Sequence, residues 1–428
     1  MYLLTNTLRD YAWGSTTAMA DLLGHEPSGR PEAELWIGAH PDAPSRPADA
    51  REGETLGTLI ASDPVAALGE ESVEAFGPRL PYLLKVLAAA SPLSLQVHPK
   101  LEAAKVGFAA EEAAGVDRSA PHRNYKDDNH KPEMILALTP FEALSGFRDP
   151  GESAALFERL TALLAGSAAA KVTEQVAELL RGPDTAGALK AAFARLLNGG
   201  SDVRAAVDAA AAAASAGPAA ENPALTTVAE LAAAYPSDPG VLISLMLNRV
   251  SLAPGEAMYL PAGNVHAYLE GLGIEVMASS DNVLRGGLTP KHVDIPELLR
   301  TVVFEATGVP LLRAQESELG QELFCPPFGE FQLQRIEMAP VGRGESGDGA
   351  SEGGLLRQPV PIAQAGAVVV LVLKGSLTLD TPKGDLVLAR GGSAFIPDAE
   401  APALAHVGPD GVLAFAVTTG LASRSQLG

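Results

Sequence analysis

Four residues from three distant segments have the side chains of a metal coordination sphere. Ser94-Leu-Gln-Val-His-Pro-Lys100 carries Gln96 and His98, Asn129-His-Lys-Pro-Glu133 carries Glu133, and Pro261-Ala-Gly-Asn-Val-His266 carries His266. Two imidazoles and two oxygen donors suit one divalent ion. Such an ion acts as a Lewis acid toward substrate oxygens, or, if it is Fe(II) held by two histidines and a carboxylate, toward O2.

These residues need a scaffold that brings them together. Gln96 and His98 stand at i and i+2, so a β-strand would project both from one face, as a metal inside a β-barrel requires. Gly255, Pro261, Gly263 and His266 follow the spacing G-x5-P-x-G-x2-H, which resembles the second signature of the cupin jelly roll. Gly255 permits one tight turn, while Pro261 and Gly263 make the next and deliver His266 inward. The first cupin signature has H-x-H before a carboxylate. Here Gln96 stands in place of the first histidine, and Glu133 follows a long loop.

The rest of the chain has three textures. Residues 1 to about 150 are rich in Gly, Pro and short apolar runs, and strands are predicted over 82–87 and 134–138. From Glu152 to Tyr235 the chain turns Ala- and Leu-rich. Ala155, Leu156, Leu160, Leu163 and Leu164 recur at helical spacing, as do Val176, Leu179 and Leu180. Residues 205–214, nearly all Ala, read as a helix ended by Gly217-Pro218. This block has no His or Cys and reads as a structural insert or lid. Strand texture is expected again at 240–247 and onward. Residues 343–354 have the composition of a surface loop. Residues 368–379 and 384–397 read as hairpins of a second jelly roll, in which only His406 offers an imidazole, set in a loop-like context. The expected fold is mainly β with an α-helical insert. A metal-binding jelly roll spans 1–151 and 240–310, the helical insert 152–239, and a degenerate C-terminal jelly-roll-like domain 311–428.

Composition narrows the partners. The chain has 428 residues, with 31 Lys plus Arg against 52 Asp plus Glu, a net charge of −21. Such a field repels nucleic acid and anionic membranes, and a phosphorylated ligand would need a local cluster of cations. No apolar run approaches the ~20 residues of a membrane span, and the first residues lack the pattern of a secretory leader. A single cysteine, Cys325, rules out internal disulfides, fits a reducing cytoplasm, and reads as a small buried hydrophobe.

Several longer stretches resemble the type I mannose-6-phosphate isomerases. They are Ala33-Glu-Leu-Trp-Ile-Gly-Ala-His40, Ser94–Pro99, Arg123–Glu133 with Leu138–Phe141 and Gly146–Arg148, Tyr259–Tyr268, and Glu275–Lys291. The resemblance implies zinc held by Gln96, His98, Glu133 and His266, and interconversion of mannose 6-phosphate and fructose 6-phosphate. It also implies a catalytic role for Arg285 and substrate contacts for Ser94, Lys291 and Tyr268.

The chemistry is consistent with these residue types. Aldose–ketose isomerisation moves a proton between C1 and C2 through an enediol. It needs a cation at the oxygen that becomes negative and a base beside the carbon acid. Arg285 stays charged in almost any environment and can face the oxyanion. Candidates for the base are Glu275, which interrupts an alternating apolar run, Asp281, and Lys131 beside a ligand. Glu275 reads equally well as a solvated carboxylate on the outer face. His130 reads as supporting a ligand, and Trp13, Trp36 and His40 as packing residues. The expected partner is a small sugar phosphate, with the protein a monomer or weak homodimer. The alternatives are a sugar-phosphate-binding cupin without turnover and an Fe(II) oxygenase.

Overall fold

The computed structural model describes residues 1–215, 222–316, 321–340 and 358–421. Gly217-Pro218 and the loop expected at 343–354 lie outside the described residues. The chain forms two compact units. One comprises Met1–Ala88, Ile274–Ser279 and Leu312–Gly428, the other Ala89–Gly273 and Ser280–Leu311.

In the first unit, the long strands Val368–Thr381 and Leu404–Thr418 pair antiparallel from Val369↔Val417 to Asp380↔Leu404. β-Branched and aliphatic residues alternate along them, so Val368, Val370, Val372, Leu377 and Leu379 fall on one buried face with Leu388 and Ala414. The strand Ser393–Ile396 pairs with Val368–Thr381 on one edge and with the N-terminal strand Tyr2–Thr5 on the other, with Tyr2 opposite Phe395. Backbone hydrogen bonding of residues 2 and 3 to this sheet is why the first 88 residues share a unit with residues 312–428. A second antiparallel run in this unit joins Thr7–Arg9, Glu34–Ile37 and Tyr82–Ala89, with Trp36 opposite Lys85. Cys325 is half-buried rather than buried, its thiol 3.6 Å from the Gln332 side-chain oxygen.

The second unit is built from short antiparallel strands. Glu133–Ala137 pairs with Ala257–Leu260. Phe141–Phe147 lies between Leu247–Leu252 and the start of His266–Ala278. Gln96–Val97 lies between His266 and Leu284–Arg285.

Among the described residues, five helices of twelve or more residues intervene between Phe141–Phe147 and Leu247–Leu252: Pro150–Leu163, Ala168–Leu180, Thr185–Leu197, Ser201–Ala214 and Pro223–Ala234. Their starts are specified locally. Asp149, Ser167, Asp184 and Asn222 each accept hydrogen bonds from first-turn N–H groups, and Pro150 and Pro223 open their helices. The helices pack on the backs of the strands. Leu95, Val97, Leu144, Val265, Ala267 and Leu284 share one buried cluster with Phe157, Val176, Phe193 and Leu231. Phe147, Phe193 and Phe304 meet with ring centroids 5.4–5.8 Å apart. Each fully buried side chain of this kind contributes about 1.5–3 kcal/mol.

The strand expected at 240–247 is instead a helical turn, Gly240–Ile243, followed by a 3-10 turn, Ser244–Met246. Val241, Leu242, Ile243, Leu245 and Met246 are all buried in the helical cluster. A run that is apolar on every side has no period to separate strand from helix. No helix among the described residues is long and apolar enough to cross a membrane.

Candidate metal centre

Register sets the site. His266 stands opposite Ser145 on one neighbour and Gln96 on the other, and Gln96 stands opposite Arg285. Directly opposed residues share a face, so Ser145, His266, Gln96 and Arg285 form one row across four strands. Their sequence neighbours Leu144, Val265, Ala267, Leu95, Val97 and Leu284 point the other way, into the helical cluster. The helices thus hold the row from behind.

The turn chemistry before His266 matches the motif. Gly255 and Gly263 both have left-handed φ, +91° and +82°. A Cβ on Gly263 would lie 2.4 Å from Val303 Cγ2, so glycine is needed there for space as well as conformation. The Gly263 N–H donates to the His98 carbonyl at 2.8 Å, joining two ligand-bearing segments.

His98, Glu133 and His266 are buried together, and their ligand atoms lie within 4.8 Å of one another. His98 Nε2 is 3.4 Å from Glu133 Oε1, and His266 Nε2 is 3.5 Å from Glu133 Oε2. These separations are long for hydrogen bonds. They match the roughly 3.4 Å spacing of two ligands bound tetrahedrally to one ion at about 2.1 Å. Each imidazole is oriented through its other nitrogen. Nδ1–H of His98 donates to the Asn282 carbonyl at 2.8 Å, and Nδ1–H of His266 to the Asn264 carbonyl at 3.1 Å. The buried Nε2 of His98 has no hydrogen-bond partner. A buried imidazole nitrogen left unpaired, facing a carboxylate and a second histidine, fits a metal ion.

Electrostatics keep His98 and Glu133 in the deprotonated form. Burial pushes the His98 pKa down to about 4, against the pull of Glu133. Burial alone would raise Glu133, but the Lys131 ammonium and then His98 outweigh it and hold the carboxyl well below the usual range. Lys131 Nζ lies 2.7 Å from Glu133 Oε1.

The other expected residues are distributed more widely. Tyr268 is buried, its ring 6.2 Å from that of His266. Ser94 precedes Leu95, whose backbone pairs with Gly286 and Gly287 just after Arg285. Arg285 is half-buried, which lowers its pKa. Asp281 is turned toward Arg118 at 3.0 Å. Glu275 belongs to the first unit and is not a solvated outer-face carboxylate. It is buried with Oε2 3.0 Å from Lys85 Nζ, and Lys85 lies 3.6 Å from Glu34, which accepts from Trp36 Nε1 at 2.7 Å. His40 is buried edge-on to Trp36, and Trp13 stacks with Tyr11, as packing residues do.

Sequence reasoning missed four residues. Lys85 had a signal, a lysine inside the apolar run 82–87. Ser145, Asn282 and Asp127 had none, because their places depend on register and loop contacts. Asn282 is fully buried. Its side-chain N–H groups donate to the carbonyls of Asp127 and Asn129 at 2.7 and 2.8 Å, and its side-chain oxygen accepts from Lys126 N at 2.7 Å. Asp127 in turn accepts from Ser280 Oγ and Asp281 N, both at 2.7 Å.

Residues 1–150 match the family model described as phosphomannose isomerase type I, catalytic domain. The mannose-6-phosphate isomerase of Escherichia coli (strain K12) is 41% identical over 405 residues, covering 94% of this chain and 96% of that protein. The Homo sapiens mannose-6-phosphate isomerase is 30% identical over 438 residues, covering 96% and 97%. A zinc-bound crystal structure of mannose 6-phosphate isomerase superposes with a TM-score of 0.83 at 39% identity, covering 98% of this chain and 99% of that one. A mutant phosphomannose isomerase from Salmonella typhimurium gives 0.83 at 38% identity over the same shares.

Proposed function

The chain belongs to the type I phosphomannose isomerases, and from that premise we propose how its residues carry the reaction. It is a zinc-dependent isomerase that interconverts mannose 6-phosphate and fructose 6-phosphate. The observation that carries the reading is the convergence of His98, Glu133 and His266 in one buried pocket, with Arg285 in the same cross-strand row.

Gln96, His98, Glu133 and His266 would hold the zinc, which when bound would supply Lewis acidity toward the sugar oxygens. Arg285 places a fixed positive charge where the oxyanion of the enediol develops. We assign the proton transfer between C1 and C2 to Glu275, a buried carboxylate with Lys85 Nζ 3.0 Å from its Oε2. Lys131, 2.7 Å from Glu133, donates toward the sugar oxygens. Asp281 is left out of proton transfer because Arg118 engages it. Lys291 and Ser94 bind the phosphate, and Tyr268 lines the sugar pocket.

Both β regions are assigned as cupin jelly rolls. The metal-binding one draws on 1–151 and 240–310, with 152–239 inserted in it as helices, and 311–428 forms the second. The protein is assigned to the cytoplasm, as its lone cysteine suits, and to a monomer or weak homodimer.

The test is turnover of mannose 6-phosphate by purified protein, before and after chelation and with zinc restored. Chelator-sensitive, zinc-restored turnover supports the reading. A zinc-loaded protein that binds the sugar phosphate without turnover would overturn it.

A further inference from the structure

We propose that Lys126 is a second phosphate-binding cation beside Lys291, on the loop that Asn282 holds next to the Arg285 strand. The proposal rests on the isomerase reading above and extends its phosphate site.

It starts from charge. In a chain of net charge −21, cations would ordinarily find acidic partners. Among the described residues, no carboxylate lies within ion-pair distance of Arg285, Lys291 or Lys126. Yet the three stand close enough that the charges of Arg285 and Lys126 both act on Lys291, after burial, to lower its pKa. Like charges gathered without counter-charges repel one another, and a bound dianion reverses that cost.

Geometry fixes where Lys126 sits. Its N–H donates to Asn282 Oδ1 at 2.7 Å, and Asn282 lies three residues before Arg285. The Asn282 amide ties down Asp127 and Asn129 on the same loop, while its carbonyl holds His98. One buried asparagine therefore sets the loop bearing Lys126 relative to both the Arg285 strand and a metal ligand. Lys126 is itself half-buried, so part of its stem is already ordered before an anion arrives.

The experiment uses full-length, zinc-loaded protein, with inorganic phosphate as a competitive probe beside mannose 6-phosphate turnover. Lys126→Gln is expected to raise both the phosphate inhibition constant and the KM for mannose 6-phosphate about tenfold. Most of the loss in kcat/KM should lie in KM, and zinc content should be unchanged, which a folding defect would not leave intact. Lys126→Arg should bring both constants back to within about threefold of wild type. Wild-type constants in Lys126→Gln would overturn the proposal and leave the isomerase reading standing. Absence of turnover in the zinc-loaded wild-type protein would overturn that reading instead.

Discussion

The strands around His266 and the C-terminal sheet of residues 360–418 share the same antiparallel ladder but use its faces differently. In the C-terminal sheet, Val368, Val370, Val372, Leu377 and Leu379 give one face wholly to packing, and His406 sits exposed against Asp380. Around His266, one face goes to the helices through Leu95, Val97, Val265 and Ala267. The other carries Ser145, His266, Gln96 and Arg285. A pleat of period two lets one strand do both, provided a second layer packs its back. The polar row gains little from hydrophobic burial, and the pocket it borders leaves His98 Nε2 unpaired. Packing behind it must supply its rigidity.

That contrast can be broken most sharply at the ligands. Glu133→Gln, which removes the charge between the two imidazoles, is expected to lose zinc and to lower kcat about 10³-fold or more, read by metal analysis and turnover. Full zinc occupancy in that variant would contradict the ligand assignment. Next comes Arg285→Ala, expected to keep zinc and lower kcat roughly 10²-fold. Turnover like that of wild type would remove Arg285 from the chemistry.

On the packing side, Leu379→Ala should lower unfolding free energy by about 3 kcal/mol while kcat of the folded fraction stays within about twofold. Denaturant melts beside active-site titration separate the two. Acidity tests the polar row again. The unfolded chain protonates His98 near its ordinary pKa of 6.5, whereas the folded chain does so only near about 4. Between those values the unfolded state binds more protons, so stability of the metal-free protein should fall as pH drops through that window. Thermal melts should show this slope, and His98→Gln should flatten it. Least of all, His406→Ala should leave zinc and turnover unaltered and stability within about 0.5 kcal/mol.

Much of the site was legible in the chain because each ligand lies beside its own turn chemistry. Gly255 and Gly263 announced the turns before His266. Helices were equally readable where Ala155, Leu156, Leu160, Leu163 and Leu164, and Val176, Leu179 and Leu180, recur at helical spacing. What escaped was decided by partners far away. The pairing of Tyr2 with Phe395 has no local sign, since each strand alone is a short apolar run. Residues 240–247 read as strand because a segment buried on all sides shows no period. Glu275 was ambiguous until Lys85 could be seen beside it.

Main-chain carbonyls, rather than mobile side chains, aim both imidazoles, through Asn282 for His98 and Asn264 for His266. A mould made of backbone does not reshape itself around its guest. Such a mould ranks divalent ions by how well each one's preferred geometry suits two fixed imidazoles and a carboxylate, and not by their intrinsic affinity order alone.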